Sequence, residues 1–200
     1  MIKLCHPFRA ATPGDAKELA NFVNIAGEGL PLYLWKQIAG EGESPWDVGC
    51  ARAKRESGGF SYRNAIFRVV GEITAACLIG YPLDDDPSMT NYSDLPPMFV
   101  PLQQLEDLIP GTWYINVVAT REVHRGKGYG SELLDLAESN CRHLGKRGLS
   151  LIVADSNEGA RNIYQRTGYR EVAHRPMVKE GWQHPGTNWV LMLKELATFQ

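Results

Sequence analysis

Residues 112–134 have the sequence TWYINVVATREVHRGKGYGSELL and join an apolar run to a helix through a glycine-rich loop. The β-branched composition of residues 112–120 predicts a buried strand. The apolar residues after the loop recur at helical spacing, at Leu133, Leu134, Ala137, Cys141 and Leu144. A further apolar run at 149–154 predicts another buried strand. Because a helix then connects two strands, we expect at least one parallel strand pair.

The loop concentrates three glycines and two cations at the start of that helix. Gly126, Gly128 and Gly130 allow positive φ and let a ligand approach without a Cβ in the way. The first amides of a helix lack intrahelical acceptors and lie at the positive end of its dipole. Arg125 and Lys127 add full positive charge. The loop therefore predicts a phosphate or pyrophosphate site, with a plain surface turn as the alternative.

Two common phosphate loops do not fit this spacing. A P-loop needs Ser or Thr directly after its Lys, whereas Lys127 precedes Gly128. A dinucleotide loop needs GxGxxG directly after the strand, whereas GxGxG stands here and REVHR separates it from the strand. Asp155 is suitably spaced for a ribose contact, but only 70 residues follow Gly130. Nicotinamide-dependent redox chemistry therefore stays the weaker alternative.

The remaining patterns predict a mixed α and β chain that forms a single domain over residues 1–200. The first part predicts a strand at 2–11, helices at 15–27 (capped by Thr12 and Pro13), 32–38 and 44–57, and strands at 61–70 and 73–81. The last part predicts a helix at 157–168 closed by Gly168, and strands at 169–178 and 188–196. Residues 82–110 are rich in Pro and acid, and we expect an ordered insertion with one short helix near 102–109.

Composition excludes several function classes. The chain is 44% hydrophobic and 22% charged with a formal net charge of −2, which argues against a nucleic-acid partner. We find no signal-peptide pattern and no apolar run long enough to span a membrane, so we expect a cytoplasmic protein with no membrane partner. Cys5, Cys50, Cys77 and Cys141 are isolated from one another and from the histidines, so we expect free, mostly buried thiols and no metal site.

Two motifs carry a resemblance to the GNAT superfamily of N-acetyltransferases. Residues 117–134 resemble its acetyl-CoA motif, Q/R-x-x-G-x-G/A, with Arg125, Gly128 and Gly130 at the fixed positions. Residues 156–169 resemble its second motif, whose matching positions here are Asn157, Ala160, Tyr164, Gly168 and Tyr169. Residues 8–22 loosely resemble its first strand and helix. The resemblance is strong over about 112–175, which would be the cofactor-binding core, and weak elsewhere.

The resemblance implies a fold and a cofactor. The fold would be a central mixed, mostly antiparallel sheet with a splayed parallel strand pair, flanked by helices. The cofactor would be acetyl-CoA, whose pantetheine arm would pair with the backbone of Val117, Val118 and Ala119, while their side chains serve the sheet core. The loop would hold the pyrophosphate, through Arg125, Gly126, Lys127, Gly128, Tyr129, Gly130 and Ser131. Asn157 would hydrogen-bond the cofactor or, equally well, cap the helix that follows it.

Catalysis would then rest on Tyr164, the family's usual general acid, which protonates the departing thiolate. A half-buried packing role is the alternative for this ring. The general base stays open, because the strand before the loop offers Tyr114 and Asn116 and no acid. Candidates are Glu72, Glu106, Asp107, Asp155 and His174, or water alone.

The acceptor would be a primary amine of a small molecule or a peptide. Residues that could form its pocket are Trp35, Trp46, Phe99, Trp113, Trp182 and the acids 84–86, unless the tryptophans are core and the acids a solvated loop. A non-catalytic acyl-CoA-binding sensor or regulatory module is the alternative function. A homodimer is compatible with the sequence but not indicated by it.

Overall fold

The computed structural model describes residues 2–86 and 90–196 and contains the expected mixture of strands and helices. The strands are β1 (Phe8–Ala10), β2 (Ala65–Val70), β3 (Ile73–Pro82), β4 (Trp113–Thr120), β5 (Gly148–Ala154), β6 (Arg170–Pro176) and β7 (Asn188–Glu195). The helices are α1 (Ala16–Ala26), α2 (Leu30–Ile38), α3 (Pro45–Ala53), α4 (Val100–Glu106), α5 (Tyr129–His143) and α6 (Glu158–Arg166). Short 3-10 turns precede several of these elements.

The sheet has seven strands in the order β1-β2-β3-β4-β5-β7-β6. The pairs β1–β2, β2–β3, β5–β7 and β6–β7 are antiparallel. β4 and β5 run parallel, with Trp113 opposite Leu149 and Ile115 opposite Leu151. β4 continues from Asn116 to Thr120 beyond this register. The expected mixed, mostly antiparallel sheet with one parallel pair flanked by helices is confirmed.

Two compact units share the chain, and we call them the N-terminal unit (residues 2–81 and 116–136) and the C-terminal unit (residues 82–115 and 137–196). The N-terminal unit contains β1–β3, α1–α3, the end of β4, the glycine loop and the start of α5. Its core packs α1 on the sheet, through Leu19, Phe22, Phe67, Ile79 and Val117. The C-terminal unit contains the insertion, α4, α6 and β5–β7. The single domain over residues 1–200 stays a prediction.

Local chemistry sets the helix boundaries. Thr12 and Asp15 form a capping box before α1, in which the Asp15 carboxylate accepts the Thr12 backbone N–H at 2.8 Å. Ser44 caps α3, because its Oγ accepts the Trp46 N–H at 3.3 Å. Gly27 follows the last residue of α1, as expected. None of the described helices is both long and apolar enough to cross a membrane.

Several predicted boundaries were wrong. The first strand is only Phe8–Ala10, because the chain turns before it and Phe8 N–H donates to Cys5 O at 2.8 Å. Residues 62–64 form a 3-10 turn rather than strand, since Ser61 Oγ accepts the Arg63 N–H. Leu144 lies after α5 and is 41% exposed, because Gly145 adopts a left-handed φ of 65° and ends the helix.

The insertion is tied at both ends. Leu83 N–H donates to Thr112 O at 2.8 Å, and Gly111 N–H donates to Asp84 O at 2.7 Å. Its helix α4 begins and ends two to three residues earlier than expected. A part of the insertion, residues 87–89, lies outside the described residues. The ordered ends bring the acidic start of the insertion close to the start of β4.

Candidate functional site

The glycine loop has the backbone conformation that its sequence predicts. Gly126 has a φ of 75° and Gly128 a φ of 82°, a region that residues with a Cβ rarely adopt. Glu132 N–H donates to Gly128 O at 3.1 Å, so α5 starts directly at the loop. The amides of residues 129–131 therefore belong to the first turn, where amides have no intrahelical acceptor. Such a turn can donate several N–H groups to one anion.

The loop leaves room beside its glycines. A Cβ built on Gly126, Gly128 or Gly130 would meet no protein atom within 4 Å. The side chains of Arg125 and Lys127 are exposed, and neither makes an ion pair with a described residue. A pyrophosphate group fits this combination of open backbone, helix start and free positive charge.

Tyr129 is held by side chains that the sequence patterns do not link to the loop. The Arg68 guanidinium lies 3.6 Å from the centre of the Tyr129 ring, and the His124 ring packs on Tyr129 at 6.1 Å between centroids. Arg68 also pairs with Glu132 in the first turn of α5. The Tyr129 ring thus contacts protein side chains. The contact with a cofactor that we predict for Tyr129 would be made by its backbone amide.

The side chains of strand residues 117–119, before the loop, are buried or half-buried, as the sequence predicts. Val117 and Ala119 are buried in the core of the N-terminal unit, and Val118 is half-buried. Asn116 is exposed between the buried Ile115 and Val117 and directly follows the last residue in the parallel register with β5. The pairing of their backbone with a cofactor stays a prediction.

Asn157 caps the start of α6, and Asp155 just before it binds the start of β7. Asn157 Oδ1 accepts the Ala160 N–H at 3.1 Å, which makes Asn157 the helix N-cap, and its role toward a cofactor stays a prediction. Asp155 Oδ2 accepts three hydrogen bonds, from Thr187 Oγ1 at 2.7 Å and from the backbone and side-chain nitrogens of Asn188 at 2.9 and 3.1 Å. Asp155 Oδ1 accepts the Thr187 N–H at 2.9 Å. These bonds join the end of β5 to the start of β7.

Tyr164 lies in the last turns of α6 and is 9% exposed. Its ring packs against Tyr169 at 5.8 Å between centroids, with the planes tilted by 56°. Its carbonyl accepts the Tyr169 N–H at 3.0 Å in a helix end that requires the left-handed Gly168, whose φ is 95°. The second motif therefore works as one local unit: Asn157 begins the helix, Gly168 ends it, and Tyr164 is fixed between them.

The candidate bases have very different surroundings. Burial would raise the pKa of Asp155, but the hydrogen bonds from Thr187 and Asn188 outweigh it and hold that pKa at about 2. Asp107 accepts hydrogen bonds from Tyr92 and Gln103 at 2.7 and 2.8 Å. Glu106 has no hydrogen-bond or ion-pair partner among the described residues. Burial, and next the charge of Asp107, raises the pKa of Glu106 to about 7.

Glu106 belongs to a pocket of about 110 Å³ in the C-terminal unit. Its lining residues are Leu83, Asp84, Asp86, Gln103, Glu106, Asp107 and Pro110. The acids of residues 84–86 are thus partly a pocket wall. Asp85 does not line the pocket and pairs instead with Lys146 Nζ at 2.8 Å.

The tryptophans proposed for an acceptor pocket pack mainly within the protein. Trp35 is 3% exposed and stacks on Phe60, with Trp46 at its edge. Trp113 is buried in β4, and Trp182 stacks on His184 and Trp189 in the loop between β6 and β7. Their burial and stacking indicate that these rings belong to the packed interior.

The four thiols are free, and their exposure varies: Cys77 and Cys141 are buried, Cys50 is half-buried and Cys5 is exposed. Within residues 2–86 and 90–196, no group of three or more His, Cys, Asp or Glu side chains is arranged to hold a metal ion.

Comparison with known families gives a match across the site. The model of the Acetyltransferase (GNAT) family matches residues 48–169, more than half of the chain. This range contains β2–β5, the glycine loop and the whole second motif. A curated relative, the uncharacterized N-acetyltransferase YycN of Bacillus subtilis (strain 168), is 42% identical over 50 residues, which are 25% of this chain. The match spans about a third (32%) of the length of that relative.

Solved structures share the fold, two of them over nearly the whole chain. An N-acetyltransferase from Staphylococcus aureus Mu50 has a TM-score of 0.66 and 19% identity, over 93% of this chain and 98% of that one. A structure described as an acetyltransferase has a TM-score of 0.64 and 21% identity, over 95% and 99%. A GNAT family acetyltransferase from Elizabethkingia anophelis with acetyl-CoA bound has a TM-score of 0.50 and 18% identity, over 66% and 75%.

Proposed function

Because the chain belongs to the GNAT acetyltransferase family, we propose that it is an acetyl-CoA-dependent N-acetyltransferase acting on a primary amine. The observation that carries the proposal is the glycine loop. Two glycines have positive φ, no protein atom lies where their Cβ atoms would be, and a 15-residue helix starts directly after them. The acetyl-CoA bound to the Elizabethkingia anophelis acetyltransferase supports the class of cofactor.

The cofactor would be held mainly by backbone. The amides of residues 126–131 donate to the pyrophosphate, and Arg125 and Lys127 attract it electrostatically. The N–H and C=O groups of Val117, Val118 and Ala119 pair with the pantetheine arm. Asn157, at the N-cap of α6, is the remaining predicted contact. Backbone donors suit this task because they are fixed by the fold before the ligand arrives.

Acetyl-CoA, when bound, would supply an acetyl thioester as the acyl donor, and the amine nitrogen would take the acetyl group as the carbon–sulfur bond breaks. The Tyr164 phenol would donate its proton to the departing sulfur, so that CoA would leave as a neutral thiol. The helix caps at Asn157 and Gly168 define the two ends of the helix that carries Tyr164. The amine must lose a proton for its lone pair to attack, and that proton passes to water or to a carboxylate.

A non-catalytic acyl-CoA-binding module is the second candidate. The observation that favours it is the absence of an acid on β4, where buried Tyr114 and exposed Asn116 stand at the positions that precede the loop. Such a module would bind the same cofactor at the same loop and would transfer nothing. The two candidates therefore differ in turnover and not in binding.

The deciding experiment measures release of free thiol from acetyl-CoA across polyamines, aminoglycosides, amino acids and peptides. We expect at least one amine to accelerate thiol release far above the rate with enzyme alone. Tight binding of acetyl-CoA with no acceleration by any amine would favour the binding module. Binding of NAD(H) in place of acetyl-CoA would contradict both candidates.

A further inference from the structure

Arg68 links β2 to the glycine loop within the N-terminal unit. It is opposite Phe8 of β1 and Ala76 of β3, next to an irregularity in the β2–β3 register at Val69. Its side chain is only 14% exposed, which is low for an arginine. A charged side chain buried to this extent requires partners.

The first partner is an aromatic ring of the loop. The Arg68 guanidinium carbon lies 3.6 Å from the centre of the Tyr129 ring, close enough for a direct stack of the two planar groups. Arg68 Nη1 also donates to Val69 O at 3.0 Å, which fixes the guanidinium against its own strand. Tyr129 follows Gly128 directly and is the first residue of α5. The stack therefore restrains the loop at the point where it becomes helix.

The second partner is an acid beside the expected phosphate position. Arg68 Nε donates to Glu132 Oε2 at 3.1 Å, and Glu132 lies in the first turn of α5. A carboxylate there stabilises the helix dipole when no ligand is bound. The same charge would repel a pyrophosphate that binds to the amides of that turn. Pairing with Arg68 compensates this repulsion and leaves the charges of Arg125 and Lys127 available.

We propose that Arg68 is a positioning residue for acetyl-CoA, which holds Tyr129 in place and neutralises Glu132 so that the glycine loop can accept the pyrophosphate. This inference rests on the proposed function. Arg68 would touch neither the acetyl group nor the amine, so it would affect the affinity for the cofactor and not the chemical step. Lysine would be a poor replacement, because it lacks the flat guanidinium and the Nε–H.

The test measures the dissociation constant of CoA by calorimetry for the wild type, Arg68→Gln, Glu132→Gln and the double variant. We expect Arg68→Gln to weaken CoA binding about tenfold, as for a charged pair in direct contact. Glu132→Gln should bind as tightly as the wild type or more tightly. The double variant should recover most of the loss, because the uncompensated carboxylate is then absent. Arg170→Gln is the matched control, since it breaks an exposed 2.9 Å pair with Glu195 in the C-terminal unit.

Each outcome distinguishes this inference from the proposed function. A wild-type chain that does not bind CoA contradicts the proposed function and, with it, the role of Arg68. CoA binding by Arg68→Gln within about twofold of the wild type, the spread expected of an uncoupled site, contradicts the role of Arg68 alone. A double variant that binds CoA as weakly as Arg68→Gln also contradicts the role of Arg68. The lost affinity would then come from a disturbed structure, which removal of the Glu132 carboxylate does not restore. If Arg68→Gln does not fold, Arg68→Lys replaces it, and unchanged affinity in Arg68→Lys contradicts the stack.

Discussion

Tyr164 and Tyr169 are two buried phenols in contact, and only the first is proposed to move a proton. Tyr164 is on α6, between the Asn157 cap and the left-handed Gly168, whereas Tyr169 follows the turn. Their rings lie 5.8 Å apart, and the two residues are 9% and 4% exposed. The pair therefore offers an internal comparison: the same hydroxyl deletion at two neighbouring positions with different expected consequences.

We expect Tyr164→Phe to lower turnover by about 100-fold, the usual contribution of a positioned general acid. The affinity for acetyl-CoA should change little, because the phenol acts on the departing sulfur. Steady-state kinetics and calorimetry measure the two quantities separately. Tyr169→Phe is the control and should keep its turnover. Equal losses of turnover and affinity in Tyr164→Phe would show that the ring only supports the structure.

The glycines of the loop give a second matched pair. Gly128 has a φ of 82°, so Gly128→Ala forces a Cβ into a strained backbone and toward the proposed pyrophosphate. Gly130 lies in α5 without positive φ, and the motif that the loop resembles allows Ala at this position. We expect Gly128→Ala to weaken CoA binding by roughly tenfold or more. Gly130→Ala should bind as the wild type does, and calorimetry with thermal unfolding separates affinity from folding. Undiminished binding in Gly128→Ala would reject the loop as the site.

We expect Glu106 to make the free energy of unfolding depend on pH. Burial raises its pKa to about 7 from an ordinary value of 4.5, so the folded state binds its proton more tightly than the unfolded chain does. The stabilising effect of this proton is present below the unfolded pKa and is lost as the pH rises through about 7. Glu106→Gln keeps the shape and removes the charge. We expect it to unfold at a higher temperature than the wild type at pH 8, and at the same temperature at pH 4.

At pH 8 we expect Glu106→Gln to raise the free energy of unfolding by on the order of 1–3 kcal/mol. This range takes the partial exposure of the side chain into account. Glu72→Gln, in the exposed turn between β2 and β3, is the control for replacing a glutamate by glutamine. Thermal unfolding between pH 4 and pH 8 measures both variants. A Glu106→Gln curve parallel to the wild-type curve over this range would mean that the carboxylate is solvated as in the unfolded chain.

For the helices and strands, short-range sequence patterns predicted the features that depend only on neighbouring residues. The strand, loop and helix of 112–134 and the caps Thr12, Ser44 and Gly168 follow from neighbouring residues, and the structure has them. Contacts between distant segments could not be predicted in this way. The stack of Arg68 on Tyr129 joins β2 to α5, and no periodicity of either segment indicates it. The lining of the Glu106 pocket likewise depends on how residues 83–86 return to α4.

Some local features also differed, for definite reasons. Residues 61–64 have strand-like composition, but the Ser61 hydroxyl accepts the Arg63 N–H and favours a turn. Leu144 continues the helical spacing of α5, but the left-handed Gly145 follows it. In both cases a side-chain hydrogen bond or a glycine outweighed the hydrophobic pattern. Asp155 has the spacing of a ribose ligand, yet both its oxygens accept hydrogen bonds from the start of β7.

Asp155 therefore belongs to the connection between β5 and β7, and we expect Asp155→Asn to loosen it. An amide cannot accept all four hydrogen bonds, so the free energy of unfolding at pH 7 should fall by about 1–3 kcal/mol. Because the hydrogen bonds hold the pKa of Asp155 at about 2, its stabilising effect exists above the unfolded pKa and is lost as the pH falls toward 2. Urea unfolding at pH 7 and pH 3 measures this. A difference between wild type and variant that is as large at pH 3 as at pH 7 would contradict the assignment.

At the scale of the molecule, the chain belongs to the GNAT acetyltransferase family, and we propose that it combines a cofactor-binding loop with Tyr164 as the proton donor. The loop belongs to the N-terminal unit and Tyr164 to the C-terminal unit. β4 and α5 run through both units, so the strand that precedes the loop and the helix that follows it are covalent parts of each.

The proposed reaction moves the acetyl group from the sulfur of acetyl-CoA to an amine nitrogen. Its most direct test incubates the protein with acetyl-CoA that carries an isotopic label in the acetyl group, together with the amine that best accelerates thiol release. Mass spectrometry of the amine and titration of the thiol then follow both products in one sample. We expect one labelled acetyl group on the amine nitrogen for each thiol released. Tight binding of the labelled acetyl-CoA, with no label on any amine of the panel, would contradict the claim.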